Sequence, residues 1–368
     1  MQSERRRSKD LFKQFIKLFK KIGVEEIADQ TRVDEFSKKL GMREHLLIML
    51  WYVIGDCITL TELSDSLKGI LSERYKLIEI SKSQLSKVNK KRDYRAFVWA
   101  FYELIDLIWR DRKHWRMKRG LKVLGIDSTF IVWKSKYSKF GYCGLTGETE
   151  EGIRIHTSAL LEPLTIPLTV MITPGDVHDS LEFDDLLKDS NVFIDLREVV
   201  LVFDKGYWKL DRFKELDEKG YRFIIPMKIN TKYKILSEKT EKKYSDEIIR
   251  LSNGSIIRLV TFHNDKRIER YITNLDLPPE EIKEIYGMRW SIEIFFREIK
   301  SYLKIGRFIG KNLNAVLIQI FSTLIAYVPI ALLKAFYKMG ILEVKRSLKY
   351  GVDPYHRSAL IAHSFSDV

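Results

Sequence analysis

The sequence predicts an α/β protein whose N-terminal third is entirely helical, and three observations carry that prediction. Residues 1–118 repeat apolar side chains at three- and four-residue spacing, as in DLFKQFIKLFKKIG and MREHLLIMLWYVIG, which lines one face of a helix. After Gly120 the pattern changes to short apolar runs bounded by turn residues: LKVLGIDSTFIVW, IRIHTSALLE, LTIPLTVMITPG, EVVLVFDKGYW and YRFIIPMK. These read as strands. Two of them end on an acid, Asp127 and Asp204, and strand ends are where ligands gather in an open α/β sheet.

Taken in order, TLTELSDSLKGI and ISKSQLSKVNKKRDYRAF predict two short helices and a turn, the second opening on Ser81 or Ser83 as N-cap. A helix-turn-helix reader of DNA fits this pair, with Lys87, Lys90, Lys91 and Arg92 as its candidate contacts. A packed helical hairpin with a lysine-rich outer face fits equally well. The run RDRKHWRMKRGLK at 110–122 interleaves seven cations with a tryptophan, which suits a phosphate backbone. Beyond the fourth strand, KLDRFKELDEKG predicts an amphipathic helix closed by Gly220, and residues 229–277 alternate in short β-prone pieces. A further helix opens at LPPEEIKEIYG, where Asp276 can cap it and the prolines suit its first turn. The expected divisions are therefore 1–118, helical; 119–228, the first part of an α/β core; 229–277, a β-rich insertion; 278–345, the remaining core helices; and 346–368, a C-terminal tail.

The chain has 368 residues, 45% hydrophobic and 31% charged, a globular composition with room for a sizeable core. Its 64 basic and 50 acidic residues leave +14, which favours a polyanionic partner. Residues 1–120 hold 27 basic and 17 acidic side chains, or +10, so most of the excess lies in the N-terminal third. Two cysteines, Cys57 and Cys143, exclude a disulfide framework and a cysteine-based zinc site, and point to a reducing cytosol. The charged N-terminus lacks the apolar core of a signal peptide. Residues 315–336 are long and apolar enough to span a membrane, but Gln319, Ser322, Thr323 and Pro329 interrupt them. A buried core helix is the expectation, with a membrane anchor as the alternative. No HExxH, paired CxxC or phosphate-binding glycine loop is present, which leaves a zinc protease or an NTPase unsupported.

If the strands ending at Asp127 and Asp204 are neighbours, their carboxylates repel and raise one another's pKa. A divalent metal removes that penalty, and Mg²⁺ favours one or two carboxylates with water and substrate phosphate. The stretch YGMRWSIEIFFREIK, residues 286–300, offers a third acid. At about 100° per residue, Tyr286, Arg289, Glu293 and Lys300 fall within a stripe about 60° wide, suited to an anionic partner. Against this stand blander readings: acids that cap turns, and a plain Arg289–Glu293 helix salt bridge. Trp290 beside the stripe reads first as a core tryptophan, or else as a platform for an unpaired base. In GDVHDS the Asp179–Ser180 pair reads as an N-cap, with His178 and Asp179 as weaker site candidates. His156 reads as an ordinary half-buried strand histidine.

The spacing Tyr-x2-Arg-x3-Glu-x6-Lys at Tyr286, Arg289, Glu293 and Lys300 resembles the insertion-sequence-four branch of the DDE insertion-sequence transposases. IDSTF at 126–130 and FDKGYW at 203–208 are similar to that family's two aspartate motifs, ITPGDVHDS to the segment between them, and QLSKVNKKRDYRAF to its N-terminal sequence. The resemblance covers about residues 40–335. It implies an RNase H-like core, a mixed five-stranded sheet with flanking helices and a β-rich insertion, behind a helical DNA-end-binding domain. It also implies a catalytic triad of Asp127, Asp204 and Glu293 holding two Mg²⁺ ions (Mn²⁺ as a substitute), with two-metal phosphoryl transfer on DNA. Tyr286, Arg289 and Lys300 would hold phosphates beside the scissile bond. The implied partners are double-stranded DNA, as terminal inverted repeats and target, and a second copy in an active homodimer, with no membrane. The setting would be the cytoplasm, at the nucleoid of a prokaryotic cell. The long C-terminal dimerisation region of some relatives is expected to be absent, since the sequence stops soon after the helix that follows the motif, and hairpin release is carried by the resemblance alone. A catalytically silent DNA-binding protein, and a nuclease without strand transfer, stand as alternatives.

Overall fold

In the computed structural model, residues 10–35, 37, 39–68, 78–110, 121–133, 142–144, 149–241, 243–264 and 267–350 are described. They form two compact units. One gathers the N-terminal helices with the chain after residue 296; the other holds the sheet and the helices up to that point.

The sheet unit begins with β1 (Lys122–Val132), which pairs antiparallel with β3 (Thr149–Leu160) and parallel with β5 (Val199–Phe203). β2 (Tyr142–Gly144) and β4 (Ile166–Pro174) both pair antiparallel with β3, and β6 (Arg222–Pro226) runs parallel to β5. All five residues of β5 are buried, as expected of a parallel strand covered on both faces. The expected β-rich segment forms β7 (Tyr233–Thr240), β8 (Tyr244–Leu251), β9 (Ile256–Asn264) and β10 (Arg267–Thr273), an antiparallel series. Through β10 it pairs onto the free edge of β6. The result is one mixed sheet of ten strands rather than an isolated five-stranded one. Unpaired edge groups explain the extension, because β6 would otherwise present an open ladder.

Helix α7 (Asp179–Phe193) packs on β3 and β4, and α8 (Leu210–Glu218) and α9 (Pro279–Gly287) on β6. Phe183 of α7 meets Phe203 at 4.9 Å between ring centres, and Phe213 of α8 stacks on Phe223 at 5.7 Å. Buried Arg212 ties this face together. Its guanidinium lies 4.2 Å from the Phe183 ring and donates to the carbonyls of Tyr207 and Ser180.

In the helical unit, α1 (Asp10–Lys21), α2 (Val24–Thr31), α3 (Met42–Gly55), α4 (Leu60–Ser66), α5 (Lys82–Lys91) and α6 (Arg95–Arg110) precede α11 (Leu313–Tyr337) and α12 (Ile341–Tyr350). The side chain of Thr59 caps α4 and that of Ser81 caps α5. These two helices pack together, but residues 67–81 separate them, much more than the three- or four-residue turn of a helix-turn-helix. Helix α11 is the apolar segment considered above as a membrane span, and 94% of its most apolar window is buried inside the protein. Its interrupting polar groups are satisfied within the unit. Gln319 accepts from the Ile309 amide and donates to the Arg307 carbonyl, while Ser322 and Thr323 donate back to carbonyls four residues earlier.

Candidate active site

The last aligned pair of the parallel β1–β5 ladder is Ile126 with Phe203. The next residues are Asp127, which lies within β1 rather than at its expected end, and Asp204, just past β5, on neighbouring chains about 4.8 Å apart. Side chains alternate along a strand, so Ile126 and Phe203 point to one face, the one α7 covers. Asp127 and Asp204 point to the other. Asp204 opens a 3₁₀ turn, Lys205–Tyr207, and its Oδ1 accepts from the Gly206 amide at 2.9 Å. The cap reading holds for this acid, and its second oxygen is not spent on the turn.

The third acid arrives on a broken helix. A single uninterrupted helix was the basis of the 286–300 stripe. The chain instead forms α9, then α10 (Trp290–Arg297), then a π turn over Glu298–Tyr302. Tight contacts join the first two: the Met288 amide to the Ile285 carbonyl at 3.1 Å and the Arg289 amide to the Tyr286 carbonyl at 3.0 Å. Those contacts and the π turn both change the angle per residue, so a uniform 100° step does not carry through to Lys300. Lys300 is exposed and falls in the helical unit, whereas Tyr286, Arg289, Trp290 and Glu293 belong to the sheet unit.

Arg289 joins two of the acids. Nη1 donates to Asp127 Oδ2 at 2.9 Å, and Nη2 to Glu293 Oε1. Its guanidinium lies 5.8 Å from the Tyr286 ring centre, and its buried Nε has no partner. Asp127 is only 18% exposed at its side chain. Burial, reinforced by the charges of Asp204 and Glu293, pushes its carboxyl up to about 6 despite Arg289. Burial likewise pushes the Tyr286 hydroxyl up to about 12, with Asp204 and Asp127 adding to it, so it remains a proton donor. Among the described residues, Arg289 thus links two carboxylates, and the charge of a third, Asp204, also acts on Asp127. Among the described residues no three acid, histidine or cysteine side chains already converge on one point; the Arg289 guanidinium stands between two of the acids. As donors, three carboxylates suit a hard divalent cation, with the guanidinium swung aside.

The remaining candidates scatter. Trp290 is 58% exposed, which overturns the core reading. Lys87, Lys90 and Lys91 are exposed on α5, but Arg92 is only 6% exposed. Its Nη2 donates to Asp34, Ser37 and the Leu40 carbonyl, so it is spent on holding the helical unit together. Of the 110–122 run, residues 111–120 lie outside the described residues. His178, not Asp179, caps α7: its Nδ1 accepts from the Ser180 amide at 3.2 Å. His156 is fully rather than half buried, and burial pulls it down to about 4. Arg154 and Ser128 escaped sequence reading, because only the register of β1 on β3 reveals that they meet.

Comparison with known proteins shows the family. The family described as "Transposase DDE domain" matches residues 118–328. The putative transposase for insertion sequence element IS4SA of Synechocystis is 30% identical over 68% of this chain and 71% of its own length. The probable transposase for IS5377 of Geobacillus stearothermophilus is 29% identical over 65% of this chain and 62% of that protein. Among solved structures, the cryo-EM structure of the piggyBac transposase synaptic complex with hairpin DNA aligns with 95% of this chain and 81% of that one, at TM-score 0.48 and 9% identity. The chain belongs to the DDE transposases of insertion-sequence elements, a family of DNA-cleaving and strand-joining enzymes.

Proposed function

We propose that this DNA transposase acts at the terminal inverted repeats of its own element, through a site made of Asp127, Asp204 and Glu293. One observation carries the reading: Asp127 and Asp204 lie side by side just past the last parallel pair of β1 and β5, and one guanidinium links Asp127 to Glu293. The strand order β4-β3-β1-β5-β6, antiparallel among the first three and parallel thereafter, supports an RNase H-like core within the larger sheet. The three carboxylates would hold two Mg²⁺ ions, or Mn²⁺ in their place, supplying activation of the attacking oxygen and neutralisation of charge at the scissile phosphate.

The protein's own groups have separate tasks. Asp127, Asp204 and Glu293 set the negative charge that recruits the cations. Arg289, released from the acids, offers a planar pair of donors to a phosphate, and the protonated Tyr286 hydroxyl donates one more. Exposed Trp290 presents a face for an unpaired base. Lys300, with Lys87, Lys90 and Lys91 on α5, supplies point charges for the DNA backbone. The active complex on this reading is a homodimer pairing two element ends.

Incubating the purified chain with labelled terminal-repeat DNA and Mg²⁺ tests the proposal. Nicking at the repeat boundary, followed by joining of pre-cleaved 3′ ends to a target, is the expected result. Retained binding without nicking would favour a silent DNA-binding protein; nicking without joining would favour a simple nuclease.

A further inference from the structure

On the face of the sheet opposite the acids, a second polar cluster backs onto Asp127. Register places Ser128 directly across from His156. Arg154, two residues along β3, shares their face. Asp179, the first residue of α7, reaches in to meet them. Ser128 Oγ donates to Asp179 Oδ1 at 2.5 Å. Arg154 Nη1 donates to the same Asp179 oxygen and to Ser128 Oγ, each at 3.2 Å. Its other nitrogens donate to the Gly175 carbonyl at 3.3 Å, and His156 Nε2 lies 2.8 Å from Thr173 Oγ1. Arg154 of β3 and Asp179 at the start of α7 therefore both hold the Ser128 side chain, and the β4–α7 turn holds Arg154.

That serine is the neighbour of the first catalytic aspartate. Aligned pairing of β1 with β5 stops at Ile126, and beyond it the Ser128 amide donates to Asp127 Oδ1 at 2.8 Å. The side chain of Ser128 is thus clamped on one face while its N–H holds the carboxylate on the other. With Oδ1 occupied, Oδ2 is the oxygen turned to Arg289. Free rotation of Asp127 would cost entropy on every binding event, and the clamp removes it beforehand. Asp179 is not used to cap α7, since His178 does that, so its carboxylate is free for this task.

We infer that Ser128, Asp179 and Arg154 are positioning residues that fix the Asp127 carboxylate for its divalent cation. The inference rests on the proposed metal site, and it makes a demand that packing alone does not. Partners one step behind a ligand typically tune metal affinity 10- to 100-fold. A matched control lies on the same face: Ser190 of α7, buried and hydrogen-bonded to Ser158 and Thr169, with no link to Asp127.

The test is Mn²⁺ binding by electron paramagnetic resonance on the full chain without DNA, with melting temperature as a folding control. Ser128→Ala and Asp179→Ala should weaken Mn²⁺ binding about tenfold or more, with Ser128→Thr near the parent. Ser190→Ala should lower the melting temperature and leave Mn²⁺ affinity unchanged. Parental affinity in folded Ser128→Ala and Asp179→Ala would overturn the inference while leaving the metal site standing. So would an equal loss in Ser190→Ala. Failure of the parent itself to bind Mn²⁺ would overturn the metal site and this inference with it.

Discussion

Asp56 and Asp127 are both partly buried acids tied to cations, yet their protons respond in opposite directions. In the helical unit Asp56 accepts from Lys345 at 2.6 Å and lies 3.0 Å from Lys304 and 3.8 Å from Lys349. Burial favours its neutral form, but Lys345 and Lys304 overcome that and hold the carboxyl below its ordinary value. In the sheet unit Asp127 has one guanidinium and two neighbouring acids, and burial prevails. A surplus of cations makes Asp56 a staple. A surplus of anions makes Asp127 a member of the proposed site, one that an added cation would neutralise.

The largest effect expected from breaking this contrast is on catalysis. Asp127→Ala, Asp204→Ala and Glu293→Ala should each lower nicking of terminal-repeat DNA by at least about 1,000-fold, with end binding nearly intact in a gel-shift assay. Any one of them nicking at the parental rate would lose its place in the triad. Asp56→Ala should leave the acid chemistry untouched and instead destabilise, because it strands Lys345, only 3% exposed at its side chain. A loss of about 3 kcal/mol in urea unfolding is expected. The sign with pH follows from the depressed carboxyl. Its contribution is present above the unfolded-state value and fades as pH falls through the folded-state one. The parent should therefore lose its advantage over Asp56→Ala in acid, and a constant difference down to pH 2 would contradict the staple.

Arg289→Gln sharpens the contrast from the other side. Removing the single cation should lower the melting temperature without metal and enlarge the rise that Mg²⁺ produces. An unchanged response to Mg²⁺ would show that the guanidinium does not share the acids' space. Smaller again is Trp290→Ala, expected to weaken binding of single-stranded terminal DNA by about 1–3 kcal/mol. Smallest is Lys300→Ala, which should lower the salt slope of DNA binding by about one; an unaltered slope would remove its phosphate contact.

These two regions were unequally legible in the sequence. Asp204 announces itself, because an apolar strand that ends on an acid is a local pattern; Asp127 is expected to end its strand as well, but β1 runs on to Val132. The spacing of Arg289 and Glu293 is equally local, and their contact survives the break between α9 and α10. What depended on a constant helical angle did not survive: Lys300 lies within a π turn. What depended on tertiary burial was hidden as well. Trp290 faces outward, and Arg92 inward to Asp34 and the Leu40 carbonyl, although both sit in helical surroundings that gave no sign of it. The ten-stranded sheet required knowing that β10 pairs with β6. Ser128 and Arg154 meet through register, and Asp56 meets Lys345 across 289 residues; no sequence period encodes such contacts.

Melting of the parent beside Asp127→Asn near pH 7.5 tests most directly whether Asp127 carries an anionic surplus that a bound cation would offset. Ionising a carboxyl held near 6 costs stability, so without metal the neutral isostere should be more stable, by about 3 kcal/mol. Added Mn²⁺ should then lift the parent past it. Should Asp127→Asn melt lower than the parent without metal, with both responding alike to Mn²⁺, Asp127 would be an ordinary salt-bridge acid and the account would fail.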